Sequence, residues 1–433
     1  METNKFYANL FLGDQTNAVW THPYSLSWSK GSGQTDSWGF AISHIERSQL
    51  ATGAATSSDA GDWNYFVNPI GIQSLVIPAA ELNEGTTLTT DSLQAFSVNA
   101  NLLAAEASEP TLTFPLIQGM VFVTGEYTNG TPLLRSGIGF SNLTYIGNIT
   151  SGGTYKYSVL LADGYTWLIY VTPRSTSYNE DSFTLVSAEA IQGPSGFGGY
   201  IQIAKVPAGS SDASNIYDDS AGVYATGVSI AGSVEGTTGT YTLSWTKAGA
   251  TAQPLTIFAL PHHVSSFDSV TQAGMTDVQR ETTTKGLATA VVGDSWTLVE
   301  DDLPIDMSFE PWSPSTGGVD VYSSAAIAAM NAAGAAELAQ NISQQTNTGS
   351  TYFDGKALAK FAAIVYVLHE LADNVTLALT GLLKLEAAFA LHVENQMTLP
   401  LVYDTSWGGV ISNSTSAQDY GNSYYNVSPS GVQ

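Results

Sequence analysis

The order of strand-like runs followed by helical segments constrains this chain more than any other feature of its sequence. From residue 4 to about residue 260, short runs rich in Val, Ile, Thr, Tyr and Phe alternate with Gly, Asn, Asp and Pro turns, as at 155–161, 166–172 and 240–246. Many short strands with frequent turns are typical of an antiparallel sandwich. No segment of helical period interrupts them, so we predict one large multi-stranded sandwich.

The pattern changes twice after this region. Residues 271–284 predict irregular structure, and residues 285–300 predict a hairpin whose turn is Gly293 and Asp294. Residues 324–340 are Ala-rich and predict a helix by propensity, and residues 356–371 and 377–394 have apolar side chains at helical spacing. Two or three such helices cannot bury much apolar surface by themselves, so we expect exposed apolar faces.

Charge and cysteine content exclude several classes of function. Lys+Arg is 13 and Asp+Glu is 38, so the formal charge is −25. Nucleic acids and anionic membranes both demand clustered basic side chains, and we expect neither as a partner. The chain has no cysteine, which excludes disulfides, thiolate metal sites and cysteine nucleophiles. Few charges, many small polar residues and 11% aromatics suit a β-rich protein that faces sugars.

The histidines do not predict a metal site. His262 and His263 are adjacent and would point to opposite faces of a strand, and His369 lacks a second histidine four residues on. Buried or capping roles are the better interpretation. No phosphate-binding loop or Gly-x-Ser-x-Gly elbow occurs. We expect no metal and no cofactor.

Signals for location point in different directions. The first residues lack an apolar signal region, and no apolar run approaches the ~18 residues of a membrane-spanning helix. Seven Asn-x-Ser/Thr acceptor sequences favour secretion weakly. We expect an extracellular or cell-wall location, and an intracellular one stays open. The acceptor asparagines are Asn129, Asn142, Asn148, Asn341, Asn374, Asn413 and Asn426.

Two clusters near the end carry groups that sugar subsites use. Residues 401–409 and 419–426 combine aromatic rings with Asp, Asn and Gly. Aromatic faces can pack against a sugar ring while carboxylates and amides bind its hydroxyls. A role in the core or in loop structure is the alternative for any single Tyr or Trp.

Together these clusters resemble glycoside hydrolase family 81, the endo-β-1,3-glucanases. The stretches that carry the resemblance are residues 9–16, 19–31, 39–49, 68–73, 258–263, 285–300, 400–412 and 419–426. The resemblance implies a large N-terminal antiparallel β-sandwich at 1–265, a small linking α/β region at 266–320 and the beginning of a truncated (α/α)6 toroid at 321–433. It also implies inverting hydrolysis of internal β-1,3-glucosidic bonds, without a cofactor. Inversion needs a carboxylic acid and a second carboxylate that activates water.

The chain departs from the family pattern after Asn426. The resemblance implies that the general acid directly follows that position and that the base lies further downstream, so no catalytic residue is retained. Six helical hairpins need roughly 250–300 residues, far more than 321–433 supplies. We therefore expect this chain to be truncated before the catalytic residues and inactive by itself. Residues expected to line or support the glucan cleft are Tyr403, Asp404, Trp407, Asp419, Asn422, Tyr424 and Tyr425.

Two alternatives remain beside a glucanase. One is a non-catalytic β-1,3-glucan-binding or wall-associated protein built on the sandwich. The other is a fragment that does not persist in cells because its helices expose apolar faces. In each case we expect a monomer whose partner, if any, is a laminarin-like β-1,3-glucan.

Overall fold

The computed structural model describes most of the chain. The described residues are 5–44, 46, 52–55, 63–65, 72–149, 153–174, 177–207, 213–303, 312–313, 317–318, 322–404 and 409–413. The chain divides into two compact units, Lys5–Ile305 and Asp306–Gln433, the latter together with Met1–Asn4. The three-part division expected at 265 and 320 stays a prediction.

The Lys5–Ile305 unit is built mainly of antiparallel strands. Its described strands are β1 (Val19–Trp20), β2 (Ser25–Trp28), β3 (Phe40–Ser43), β4 (Thr52–Ala55), β5 (Trp63–Tyr65), β6 (Leu75–Ile77), β7 (Thr87–Asp91), β8 (Ser97–Leu103), β9 (Leu112–Ile117), β10 (Val123–Gly130), β11 (Leu133–Arg135), β12 (Phe140–Ile149), β13 (Thr154–Leu161), β14 (Thr166–Pro173), β15 (Thr184–Ser187), β16 (Ala190–Gln192), β17 (Phe197–Lys205), β18 (Val223–Glu235), β19 (Thr238–Gly249), β20 (Thr256–Ala259), β21 (Met275–Glu281), β22 (Leu287–Val292) and β23 (Ser295–Glu300). Among the described residues of this unit, three short α-helices accompany the strands: α1 (Ala213–Asp219), α2 (Pro261–Ser266) and α3 (Ser269–Ala273).

Two large sheets enclose the main core, as the strand pattern predicts. One has seven strands in the order β1-β2-β3-β6-β11-β16-β15, and the other has eight in the order β12-β13-β14-β17-β10-β9-β8-β7. Between them the rings of Phe40 and Phe114 lie 4.8 Å apart, and the buried Tyr127 hydroxyl donates to the carbonyl of Pro78. Two buried apolar faces meet in this way to make a sandwich.

The eight-stranded sheet is covered on its other face as well. Along β14, Trp167 and Ile169 enter the main core, while Leu168 and Tyr170 enter a second core. The second core includes Tyr217 of α1 and residues of the sheet β20-β22-β21. Because both faces are buried, this strand is apolar without alternation, which is typical of a central strand.

Several local predictions in this unit were wrong. Helix α1 interrupts the strand pattern, and the segment expected to be irregular forms α3 and β21. Residues 285–300 form two strands but no hairpin, because β22 pairs with β20 and β21 while β23 pairs with β19. His262 and His263 lie on α2 rather than on a strand, so the opposite-face argument does not apply to them.

The second unit is largely helical, as predicted. Its described elements are α4 (Ser324–Leu338), α5 (Ile342–Gln345), α6 (Thr351–Tyr366), a π-helical turn (Val367–Leu371), α7 (Val375–Val393), and the strands β24 (Trp312–Ser313), β25 (Gly317–Gly318), β26 (Leu401–Asp404) and β27 (Gly409–Ser412). Side-chain oxygens of Ser323, Asn341 and Asn374 cap α4, α5 and α7. The expected toroid is not confirmed by these elements.

Helices α4, α6 and α7 pack closely but leave apolar surface exposed. Side chains around Phe361 and Leu368 form their small core, and Gly381 allows Leu338 to approach α7. Leu383 on α7 is 68% exposed, and several further large apolar side chains are exposed too. In length and composition α7 suffices to cross a membrane, contrary to our expectation that no such run exists. Buried helices of soluble proteins and membrane spans share those two properties.

Candidate functional site

The predicted sugar cluster near the chain end falls mostly outside the described residues. Tyr403 and Asp404 lie on β26, which pairs with β27 so that Tyr403 faces Val410. The Tyr403 side chain is 56% exposed. Trp407, Asp419, Asn422, Tyr424 and Tyr425 lie outside the described residues. The cleft role of all seven residues therefore stays a prediction.

A cavity in the Lys5–Ile305 unit unites two stretches that the sequence singled out. It measures about 280 Å³ and is lined by residues of 19–24 and 258–263, by Phe96, Gln118 and Gly119, and by residues of β18, β19 and β23. Its chemically distinctive lining residues are His22, Gln118, Trp245, His262, His263 and Trp296. Among the residues that the structure describes, no Asp, Glu, Lys or Arg lines this cavity.

One wall of the cavity is a single face of the sheet β18-β19-β23. Val228 lies directly opposite Trp245, and Leu243 lies directly opposite Trp296. Residues opposite each other, or two apart on one strand, share a face of the sheet. The tryptophan rings pack edge to face with centroids 4.8 Å apart, so each fixes the orientation of the other.

Gly119 connects two other segments that line the cavity through backbone hydrogen bonds. The Gly119 N–H donates to the carbonyl of Thr21 at 2.6 Å, and the Phe258 N–H donates to the carbonyl of Gly119 at 2.7 Å. Gly119 has φ +77°, and a Cβ there would lie 2.6 Å from the Phe258 carbonyl oxygen. Only glycine combines that conformation with this close approach. Next to it, the Gln118 side chain donates to the carbonyl of Trp20.

Two histidines of the cavity, His22 and His263, are neutral near pH 7. His263 Nδ1 accepts the Leu260 N–H at 3.2 Å, which caps α2 and requires an unprotonated Nδ1. Burial, aided by His262, lowers the pKa of His263 to about 4. Burial and the nearby Lys285 ammonium lower the pKa of His22. The capping role expected for a histidine is confirmed at His263.

Two polar atoms of the cavity residues are buried without a hydrogen-bond partner in the described part of the chain. They are Nδ1 of His22 and Nε1 of Trp296. Trp296 is only 2% exposed, so water outside the protein cannot compensate. Buried polar atoms in proteins are normally paired. Among its described lining residues, the cavity holds no carboxylate pair for acid–base hydrolysis.

Two residues of the stretch 39–49, His44 and Glu46, belong to a buried ionic cluster. Glu46 Oε1 lies 2.6 Å from Arg280 Nη1 and 3.7 Å from Lys205 Nζ. Burial lowers the pKa of Lys205 to about 8, although Glu46 opposes that shift. Burial and the charge of Arg280 hold the pKa of His44 well below its usual value. These contacts link the segment after β3 to β17 and β21.

Among the described residues, no group of three or more His, Asp or Glu side chains could hold a metal ion.

Comparison with protein families decides the relationship of this chain to known proteins. The family model for the glycosyl hydrolase family 81 N-terminal domain matches residues 1–314, and the model for the C-terminal domain matches residues 321–427. The chain belongs to glycosyl hydrolase family 81. Because the C-terminal domain is matched as well, these matches give no support to the expected truncation.

Three fungal relatives align with almost the whole chain. The glucan endo-1,3-beta-D-glucosidase of Arthroderma benhamiae is 44% identical over 98% of this chain and 47% of its own length. The primary septum glucan endo-1,3-beta-D-glucosidase of Schizosaccharomyces pombe is 35% identical over 98% and 40%. Glucan endo-1,3-beta-D-glucosidase 2 of Saccharomyces cerevisiae is 33% identical over 98% and 53%. The chain thus spans about half the length of these relatives.

A solved family 81 structure shares the fold. The glycoside hydrolase family 81 protein of Clostridium thermocellum superposes with a TM-score of 0.66 at 17% identity, over 97% of this chain and 52% of that one. This similarity supports the large antiparallel N-terminal part followed by a helical part.

The family 81 assignment leaves the cavity residues without a role. The sequence singled out His22, His262 and His263 within longer stretches, but it gave no role to Gln118, Trp245 or Trp296. The alternation Tyr241, Leu243, Trp245 was the available signal, since alternate residues of a strand share one face. That alternation does not indicate which other strands complete the wall.

Proposed function

We propose that this chain acts in the endo-hydrolysis of β-1,3-glucan. One observation carries the proposal: three fungal relatives, 33% to 44% identical over 98% of the chain, are all glucan endo-1,3-beta-D-glucosidases by name. The described fold agrees with that relationship.

The chemistry that we propose is inverting hydrolysis. A carboxylic acid would protonate the leaving oxygen, and a second carboxylate ~6.5–9.5 Å away would activate water. From the family resemblance we expect the acid directly after Asn426 and the base further downstream. Tyr403, Asp404, Trp407, Asp419, Asn422, Tyr424 and Tyr425 would line or support the cleft, at the start of a helical toroid. The alternative that stays a proposal is a non-catalytic β-1,3-glucan-binding or wall-associated protein.

Hydrolysis and gel-retardation assays with laminarin distinguish a glucanase from a non-catalytic glucan-binding protein. Purified chain would be assayed for release of reducing sugar against a heat-treated control, and for retardation in gels that contain laminarin or a β-1,4-glucan. Retardation by laminarin alone, without hydrolysis, would favour the non-catalytic binding protein. Internal cleavage of laminarin would support the glucanase and contradict the non-catalytic alternative. The absence of both hydrolysis and retardation would overturn the proposed function.

We also propose an extracellular or wall-associated location and a monomeric state. The fission-yeast relative is named for the primary septum, and Asn142 and Asn148 are exposed acceptor residues on β12. Endoglycosidase H treatment of the chain recovered from the medium and from lysed fungal cells tests location. A decrease in mass of the secreted form supports it, whereas an unmodified chain confined to the cytosol contradicts it. Light scattering tests the monomer.

A further inference from the structure

We propose that Asn148 is a glycosylation site whose first sugar packs on the exposed ring of Tyr145. Asn148, Ile149 and Thr150 form an Asn-x-Thr acceptor sequence. Asn148 is exposed on β12, the first strand in the order of the eight-stranded sheet. Attachment of the sugar in the natural protein rests on the extracellular location proposed above. The packing of the sugar rests on the geometry of β12.

A β-bulge brings the two residues to one face of β12. Tyr145 and Asn148 are three positions apart, which would place their side chains on opposite faces of a regular strand. The register of β12 on β13 shifts by one residue between Tyr145 and Gly147, so Ile146 is an extra residue. Asn148 therefore lies opposite Tyr155, two positions before the β13 partner of Tyr145. Its side chain shares a face with the Tyr145 ring.

Neighbouring tyrosines hold the Tyr145 ring in place and leave part of it exposed. The centroid of this ring lies 5.4 Å from that of Tyr157 and 6.3 Å from that of Tyr155, in tilted contacts. Tyr145 is nevertheless 37% exposed, and the adjacent Ile146 is 53% exposed. A sugar ring packs its C–H groups on such a surface, because this contact removes apolar area from water.

A hydrogen bond places the acceptor amide beside the ring. The Tyr145 hydroxyl donates to Asn148 Oδ1 at 2.9 Å. Glycosylation uses the other end of the amide. A bond forms from Nδ2 to C1 of N-acetylglucosamine, while the bond from that carbon to the diphosphate of a lipid-linked oligosaccharide breaks. The amide loses one proton, and the lipid diphosphate is the leaving group. Because Oδ1 keeps its hydrogen bond, the attached sugar begins next to the phenol ring.

Two other acceptor residues lack this arrangement. Asn142 is exposed, but it lies opposite Leu160 rather than an aromatic residue, and its Nδ2 donates to Thr144 Oγ1. Asn374 caps α7 through Oδ1 and donates through Nδ2 to the side chain of Asn331. A sugar on Asn374 would disturb that second bond. Asn142 is therefore the matched control for a sugar on β12 without an aromatic neighbour.

Peptide mass mapping locates the sugar. The full chain, with an added secretory signal, would be expressed in a yeast host and collected from the medium and from the membrane fraction. Endoglycosidase H then trims each oligosaccharide to one N-acetylglucosamine. We expect a modified Asn148 peptide in wild type and an unmodified one in Thr150→Ala. An unmodified Asn148 in wild type would overturn the site. The laminarin assays do not depend on this modification, so that result would leave the proposed function standing.

Thermal unfolding tests the packing on Tyr145. For each variant, the unfolding midpoint of the trimmed chain is compared with that of the same sequence made in bacteria, which carries no N-linked sugar. Sugars at other sites contribute to this difference in wild type and variants alike. Relative to wild type, the difference should fall by about 1–3 °C in Thr150→Ala and in Tyr145→Thr, because each loses the contact between sugar and ring. Peptide mapping should show that Tyr145→Thr keeps its sugar on Asn148.

The control variant Thr144→Ala removes the acceptor sequence of Asn142 and leaves that of Asn148 intact. Its difference in midpoint should retain the contribution of the Tyr145 contact. An equal difference in wild type and Tyr145→Thr would overturn the packing of the sugar on the ring. A fall of the same size in Thr144→Ala as in Thr150→Ala would overturn it as well, since a sugar without an aromatic neighbour would then stabilise equally.

Discussion

Nη1 of Arg280 and Oε1 of Glu46 lie 2.6 Å apart inside the β-rich unit, although 234 positions separate them in the chain. Lys205 Nζ approaches the same carboxylate. The Arg280 side chain is 1% exposed, so its charge depends on Glu46 rather than on solvent. A buried charge that loses its partner is far more costly than an exposed one.

Replacing Glu46 by Gln should therefore lower the free energy of unfolding by about 3–5 kcal/mol. The loss follows because two buried cations, Arg280 and Lys205, would remain without the carboxylate. Urea denaturation at pH 7 measures the change. Arg174→Gln is the control, because Arg174 pairs with Glu126 at the surface and should cost less than ~1 kcal/mol. Equal losses in the two variants would contradict a stabilising role for the buried cluster.

Substituting Gly119 by Ala should destabilise the chain and distort the cavity together. The new Cβ would meet the Phe258 carbonyl oxygen at 2.6 Å, and the residue has φ +77°. We expect a loss of more than ~3 kcal/mol, since strain and backbone overlap add. Gly164→Ala is the matched control, because Gly164 has φ +84° but a Cβ there would meet no atom within 4 Å. We expect this variant to lose about 1 kcal/mol of stability. Thermal unfolding of both variants decides the point, and similar losses would exclude the overlap with Phe258 as a cause.

Protonation of His263 should weaken the fold in mild acid. Its pKa is about 4 in the folded chain and about 6.5 when unfolded, so the unfolded chain binds the proton first as pH falls. Stability is thus fully present above pH 6.5 and declines between pH 6.5 and 4, by ~2 kcal/mol after allowance for partial exposure. His263→Asn keeps an acceptor for the Leu260 N–H and removes the titration.

Comparing wild type with His263→Asn separates the effect of His263 from that of other titrating groups. His22 and His44 have lowered pKa values as well, and both remain in His263→Asn. Urea denaturation at half-unit pH intervals should show a smaller acid loss in the variant than in wild type. Parallel curves would show that His263 does not titrate in this window.

The contact of α7 with α4 should depend on Gly381. A Cβ there would lie 2.6 Å from Leu338 Cδ1 and 2.9 Å from Val365 Cγ2. Gly381→Val should force the helices apart and cost about 1–3 kcal/mol, by the general cost of overpacking. Circular dichroism at 222 nm during heating follows the loss of helix. Thr380→Ala changes the adjacent exposed residue, and we expect an effect within ~0.5 kcal/mol. A greater loss in the control would contradict the packing argument.

Local sequence pattern determined much of the fold. The strand runs at 155–161 and 166–172 and the helices after residue 324 formed as predicted. Their side chains repeat every two or every 3.6 residues, and this period depends only on neighbours in the chain. The family relationship also came from local stretches. The hairpin predicted at 285–300 failed because a turn between two strands does not specify which strands they pair with.

Only the tertiary structure decided the cavity. Trp245 and Trp296 lie on separate strands, and the register of β19 against β18 and β23 brings them to one wall. Backbone hydrogen bonds of Gly119 add the segments of His22 and Gln118 as other walls. The same holds for Arg280 and Glu46. No period in the sequence encodes such distances, because strand pairing and burial depend on which distant surfaces meet. The sequence alone therefore determined the elements and the family of this chain, while the packing of remote strands decided where charges are buried and where polar atoms remain unpaired.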